Sequence, residues 1–240
     1  MNKNSRAILL GMLLGDGCLK RKHHTQLDGT PSVYYEYVVC HSIKQEEYCQ
    51  YKLNLFHSIM GGKKPKMHYE KPKVKGVEYE SCRFSRCHKS FRILHKYLYS
   101  NDNKKYFTDR ILNYLTPQAI ALWYMDDGGC KKTKRPDGSV SSVILGLYTY
   151  CTETEVDKII HYFEKTWGIT AKKSFYAKNK SWNIMFNTKE AKKFESLINE
   201  YVIPSMRYKL PSYYNPRVPD SVEYDTDDIV SSTGKLVGVE

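Results

Sequence analysis

Two carboxylates stand where a helix should not favour them. In "AILLGMLLGDG" (residues 7–17) an apolar run ends in Gly15-Asp16-Gly17, and in "TPQAIALWYMDDGG" (residues 116–129) another ends in Asp126-Asp127-Gly128. The last turn of an α-helix carries roughly half a negative charge on its unsatisfied carbonyls, so an unpartnered carboxylate there is unfavourable by a few tenths to about 1 kcal/mol. Two such cases at equivalent places call for a positive partner, and a divalent cation is the simplest. Mg²⁺ takes hard oxygens, few of them from protein, and completes its shell with water and substrate phosphate. A pair of acids brought together beside a phosphate backbone is the minimum equipment for metal-assisted phosphodiester hydrolysis.

The elements that must position these acids follow from a repeat. Taken alone, the first run could be an export signal behind Lys3 and Arg6, or a core helix closed by an Asp-Gly turn. Its recurrence excludes the export reading, because a leader has no reason to be copied downstream. Thr116 is a good N-cap and Pro117 belongs at the first helical position. Each helix is followed by a basic stretch, a turn signal (Asp28-Gly29 or Asp137-Gly138) and a strand-like run, "VYYEYVVCHS" or "SSVILGLYTY". An amphipathic helix comes next, with Tyr48, Tyr51, Leu55 and Ile59 on one stripe, or Val156, Ile159, Ile160, Phe163 and Trp167. Strand-like runs at 66–74 with 78–86, and at 170–177 with 181–187, precede the closing helices "HKSFRILHKYLY" and "TKEAKKFESLINEY". The segments "NKKYF" (103–107) and "RYKLP" (207–211) end the two halves. The pattern predicts an α+β chain of two αββαββα repeats, residues 1–112 and 113–218, with an acidic tail at 219–240. Gly11 and Gly15, four apart, would let the first helix approach a partner closely.

Charge narrows the partner. The 240 residues carry 38 Lys+Arg against 26 Asp+Glu, a formal +12, and setting aside the acidic tail from Pro219 onward leaves +17 on residues 1–218. Such a body attracts polyanions through counterion release, and nucleic acid is the default. No apolar run approaches the ~18 residues of a membrane span. Seven cysteines, an odd number without a second ligand pair, read as reduced thiols in a cytosol-like compartment. Twenty-one tyrosines interleaved with lysines suggest strands with an exposed basic face. Candidate nucleic-acid contacts are Lys20, Arg21, Lys22, Lys73, Lys75, Arg83, Arg86, Lys131, Lys132, Lys134, Lys172, Lys178 and Lys180; Tyr35, Tyr37, Tyr176 and Trp182 are equally compatible with base stacking and with core. Trp123 reads as core. The histidines (His23, His24, His41, His57, His68, His88, His95, His161) show no metal-ligand spacing and read as surface or backbone contacts.

"LLGMLLGDG" (9–17) and "IALWYMDDG" (120–128) look like two copies of the LAGLIDADG motif, and the chain over about residues 3–217 is similar to single-chain, two-repeat LAGLIDADG homing endonucleases. "YLTP", "WYMDDGG" and "IPSMRYKLP" resemble the mitochondrial omega-intron type. The resemblance implies a central helix pair flanked by two antiparallel sheets forming a saddle over the major groove. It implies a monomeric, Mg²⁺-dependent enzyme, with Mn²⁺ able to substitute, that cuts both strands of a specific duplex site, leaves short 3′ overhangs and promotes mobility of its host intron. It assigns metal binding to Asp16 and Asp127 and to the carbonyls of Gly15 and Asp126, and polarisation of the scissile phosphates to Lys105 and Lys209. The implied compartment is cytoplasm, nucleoid or organelle matrix, without secretion. Leu122 and Asp126 depart from the motif's small residues, so close packing falls to the first copy and to Ala119 or Ala121. Asp126 also competes with Asp127 as the second ligand; Asp127 is favoured because, like Asp16, it precedes the glycine. An intron-splicing maturase acting on host intron RNA, or a non-cleaving DNA-binding regulator, is the alternative on this scaffold. An intein-embedded form is disfavoured, since Met1 and "GKLVGVE" lack the residues of splicing chemistry.

Overall fold

A computed structural model of the chain describes residues 1–74, 76–100 and 102–214; the acidic tail and Lys75 lie outside the described residues. The first repeat runs α1 (Lys3–Leu14), β1 (Cys18–Thr25), β2 (Pro31–Ser42), α2 (Glu46–Met60), β3 (His68–Glu70), β4 (Lys73–Val74), β5 (Val77–Glu78), β6 (Ser81–Cys87) and α3 (Phe91–Leu98). After the short α4 (Asp109–Leu112), the second repeat runs α5 (Pro117–Asp127), β7 (Gly128–Lys134), β8 (Val140–Cys151), α6 (Glu153–Trp167), β9 (Lys172–Tyr176), β10 (Ser181–Phe186) and α7 (Thr188–Ile198), and 3₁₀ turns follow to Tyr213. The sheets have matching orders, β1-β2-β6-β3 and β7-β8-β10-β9, with every pairing antiparallel. The expected α+β duplication is therefore present.

The two motif helices lie at the centre because they are apolar on every side, and such a helix is stable only when covered all round. Every residue from Ala7 to Leu14 of α1 and from Ala119 to Asp126 of α5 is buried. Asn2 caps α1 by accepting the Ser5 N–H at 2.8 Å; Thr116 caps α5 with Pro117 behind it, as expected. Their close approach depends on Gly11, where a Cβ would stand 2.3 Å from the Ala119 carbonyl oxygen. Gly15, in the same way, faces Asp126. Both first hairpins turn through a glycine at φ +82°, Gly29 and Gly138, preceded by an aspartate whose Oδ1 accepts a backbone N–H two residues on at 2.9 Å.

The 66–74 and 78–86 runs pair as expected, in one antiparallel register from His68↔Arg83 through Glu70↔Ser81 to Lys73↔Glu78; only Lys71-Pro72, where Pro72 has no N–H to donate, interrupts the ladder and sets β4 and β5 off as a two-stranded ribbon. One expectation is corrected. The buried stripe of α2 is Tyr48, Cys49, Lys52, Leu53 and Phe56, whereas Tyr51, Leu55 and Ile59 are only partly buried. The buried Lys52 at the middle of that face hides the stripe from the apolar periodicity, and the helix is turned toward Cys49, Leu53 and Phe56 with Tyr48 shared.

Candidate metal centre and nucleic-acid interface

The helix ends bring the predicted acids together with both predicted lysines. Asp16 lies in the turn after α1, where Gly17 N–H returns to the Met12 carbonyl at 3.0 Å; Asp127 closes α5. Lys105 Nζ donates to the Gly15 carbonyl at 2.6 Å. Lys209, itself buried, donates to the carbonyls of Met125 at 2.7 Å and Asp126 at 2.9 Å. The ammonium groups thus sit on the two carbonyls assigned to a cation, and they supply part of the positive charge that the helix ends require. Tyr124 and Cys130 both donate to the Lys209 main-chain carbonyl and fix the backbone from which that side chain springs. Trp123, fully buried against Phe107, donates its indole N–H to Asp127 Oδ2 at 3.2 Å.

Asp126 has a different environment. Its carboxylate is fully enclosed and takes Lys52 Nζ on both oxygens at 2.7 Å, while Oδ2 also accepts the Asp16 backbone N–H at 3.0 Å. Lys52 Nζ lies 3.3 Å from His41 Nε2, and His41 Nδ1 lies 3.2 Å from Gln45 Oε1 and 3.6 Å from Asp16 Oδ2. Burial, then the Lys52 charge, pushes the His41 imidazole down to about 3, so it is neutral. The tautomer that fits both contacts donates Nδ1–H toward Gln45 and Asp16 and accepts from Lys52 at Nε2. Reading His41 as a surface residue is therefore corrected: it is 4% exposed. Lys52 was missed altogether, and the signal available was only its place on a stripe between Cys49, Leu53 and Phe56.

Asp16, Asp126 and His41 offer ligand atoms within 4.8 Å of one another. Burial and the Asp126 charge raise the Asp16 carboxyl to about 6, despite Lys52, Lys209 and Lys105. Burial, then Asp16 and Asp126, pushes Asp127 well above the usual carboxylate range. Burial also opposes the Asp126 charge, yet the Lys52 ammonium, with the Asp16 backbone N–H, holds that carboxyl below its usual value. Asp16 and Asp127 therefore remain short of positive charge while Asp126 is satisfied. Hard oxygens with that imbalance suit a divalent cation.

Strand alternation decides which sequence-predicted contacts share a surface. Lys20 and Lys22 pair with Glu36 and Tyr34 on the face of the first sheet away from its helices, and Arg83, opposite Cys40, joins them with its guanidinium on Glu70. In the second sheet Lys131, Lys172 and Tyr176 take the equivalent face, and Lys178 and Lys180 are exposed at the β9–β10 turn. Lys73 is exposed on the β4–β5 ribbon, and Lys134 is exposed at the end of β7. Other candidates are corrected. Tyr37 is fully buried and stacked on Phe56 at 4.7 Å. Tyr35 meets His95 of α3, with Arg21 paired opposite it, so both alternate to the helix side. Arg86 alternates there too and donates to the Gly61 carbonyl beyond α2. Trp182 packs beside Phe175 and Lys173 on that side, and Lys132 lies over the Tyr214 ring.

A family model described as the LAGLIDADG DNA endonuclease family matches residues 6–194. Among curated relatives, Protein RecA of Mycobacterium shimoidei is 28% identical over 207 residues, covering 85% of this chain and 45% of that protein. Probable intron-encoded endonuclease 1 of Wickerhamomyces canadensis is 27% identical over 218 residues, covering 88% and 85%. The chain spans about half the length of the RecA proteins that it matches. The homing endonuclease I-WcaI, solved bound to its DNA recognition sequence, has the same fold, with a TM-score of 0.71 at 24% identity over 89% of this chain and 88% of that one. No helix among the described residues is long and apolar enough to cross a membrane.

Proposed function

This chain belongs to the LAGLIDADG DNA endonuclease family, and we propose that it is a site-specific, Mg²⁺-dependent double-strand DNA endonuclease acting as a monomer. The observation that carries this reading is the convergence at the α1 and α5 ends: an aspartate on each, and beside each a main-chain carbonyl held by a lysine. Two such sets in one chain address two strands without a second subunit. Repeats 1–112 and 113–218 each bring one basic sheet face to the duplex, as the DNA-bound I-WcaI structure suggests by its fold.

Asp16 and Asp127 would hold Mg²⁺, or Mn²⁺ in its place, through their carboxylates, and Gly15 and Asp126 through their carbonyls. The bound ion supplies Lewis-acid polarisation of the scissile phosphate and a lowered pKa for the attacking water. Lys105 and Lys209, beside those carbonyls, would supply positive charge for the scissile phosphates. Asp126 stays out of the ligand set as a carboxylate because Lys52 already occupies both its oxygens. Cleavage of both strands would leave short 3′ overhangs and promote mobility of the host intron.

The test is incubation of the purified protein with a randomised duplex library in Mg²⁺ and in Ca²⁺, alongside Asp16→Asn and Asp127→Asn. Sequence-specific double-strand cleavage in Mg²⁺, with binding alone in Ca²⁺ and in the variants, is expected. Binding to a structured intron RNA with no DNA cut in any metal would replace this reading by the maturase.

A further inference from the structure

We propose that Lys52 and Asp126 are a positioning pair that reaches across the two repeats and holds the backbone of Asp16 in its working place. The contacts form a chain. Lys52 rises from α2 of the first repeat and meets Asp126, on α5 of the second, through both carboxylate oxygens, with both side chains wholly enclosed. Asp126 Oδ2 accepts the Asp16 N–H. A carboxylate gripped at both oxygens cannot swing, so the position of its Oδ2 dictates that of the Asp16 peptide. Lys52 is fixed in turn by His41 and by the Tyr48 ring at 4.9 Å, and Tyr48 donates to the Leu122 carbonyl of α5 at 3.1 Å. Gly15 makes the approach possible, since a Cβ there would lie 2.2 Å from Asp126 Oδ2.

The other helix end is built differently. The counterpart of Asp126 across the pseudo-twofold is Gly15, which has no side chain. Matching the buried Phe56 with Phe163 aligns Lys52 with Ile159, an apolar core residue. Asp127 is held by Trp123, one turn back on its own helix. The repeats thus support their acids by a long-range ionic contact in one case and a local neutral one in the other. A buried ion pair is seldom more stabilising than well-packed apolar side chains of similar volume. Orientation of Asp16, rather than stability, is what this pair supplies.

The kinetic part of this proposal rests on the endonuclease reading; the structural part does not. Two double variants test it, Lys52→Met/Asp126→Ala and Lys52→Met/Asp126→Asn. Both remove both charges, so neither leaves a buried ion unpaired, but only asparagine keeps an acceptor oxygen for the Asp16 N–H. Single-turnover cleavage in Mg²⁺, DNA affinity in Ca²⁺, and amide hydrogen exchange of Asp16 in the metal-free protein are measured for each. The alanine variant is expected to bind DNA with unchanged affinity, to cut about ten- to a hundredfold more slowly, as a misplaced reacting group does, and to exchange the Asp16 amide markedly faster. The asparagine variant is expected to recover most of both losses. Unchanged Asp16 exchange in the alanine variant, or equal cleavage defects in the two variants, overturns the proposal. If the wild-type protein cuts no DNA, the endonuclease reading alone fails, and the exchange comparison still decides for or against the pair.

Discussion

The two repeats lay down the same strands in the same order, yet they hold their aspartates by different means. In the first, the turn after α1 is supported from a distance: Lys105 on the Gly15 carbonyl, Asp126 on the Asp16 amide, and His41 beside Asp16 Oδ2. In the second, Asp127 belongs to α5 itself and leans on Trp123 of the same helix, while Lys209 covers the neighbouring carbonyls. Lysines on carbonyls are the feature that survives in both. Duplication therefore fixes where the acids arrive, and each half then supplies its own support. The asymmetry begins at one position: where the first repeat has Gly15 the second has Asp126, and a buried carboxylate demands a buried cation, which α2 provides as Lys52.

The largest expected effect tests what the halves share. Asp16→Asn and Asp127→Asn should each lower cleavage of both strands by about two to three orders of magnitude, the scale of losing preorganised charge stabilisation, with DNA binding in Ca²⁺ retained. Strand-resolved gels check this, and nicking of a single strand would separate the two ends into independent centres. The next effect tests what they do not share. Lys52→Ala should cost about 3–5 kcal/mol in urea unfolding, because Asp126 is left buried and unpaired, and adding Asp126→Asn should recover most of it. Ile159→Ala should cost about 2–5 kcal/mol as a cavity and recover nothing from the same second change.

A smaller effect concerns pH. Asp16 keeps its proton up to about 6 in the folded protein against 3.8 as its ordinary value. Between those values the folded state binds more protons, so this group's contribution to stability is fullest at low pH and is lost as pH rises through about 6. Metal binding needs the carboxylate and strengthens over the same rise. The Ca²⁺-induced increase in Tm should therefore be larger above pH 6 than below it, and should flatten in Asp16→Asn; an unchanged pH dependence in that variant would remove Asp16 from the ligand set. The smallest effect compares sheet faces. Lys131→Ala or Lys172→Ala should each reduce the salt slope of DNA binding by about 1. Lys173→Ala should leave it unaltered, because Lys173 faces α6 and pairs with Glu153 and Asp157.

Much of this was legible in the residues. The apolar helices ending in Asp-Gly, the Thr116-Pro117 start, the paired Asp-Gly turns and the alternation in "SSVILGLYTY" are local signals, and each appears where it was expected. The ligand candidates Asp16 and Asp127 were legible because a repeat turns a weak signal into a doubled one. Lys52 and His41 were not legible, for a physical reason. A lysine on a helix is normally solvated and a lone histidine normally has no fixed role, and only a carboxylate from a distant segment makes burying them tolerable. Tyr37 and Arg86 failed for a related reason: composition reports that a strand is basic and aromatic, whereas the face each side chain takes depends on register and on what packs beneath.

The sequence by itself determined the duplicated element order, the central helix pair, the basic character of the body and the two aspartates, because these follow from local periodicity, turn chemistry and net charge. Only the tertiary structure decided that Asp126 and Asp127, adjacent in the chain, have opposite fates. One is neutralised by Lys52 from the other repeat at 2.7 Å, while at the other burial and the two neighbouring carboxylates outweigh Lys105 and Lys209, a division set by the tertiary surroundings rather than by anything in the dipeptide.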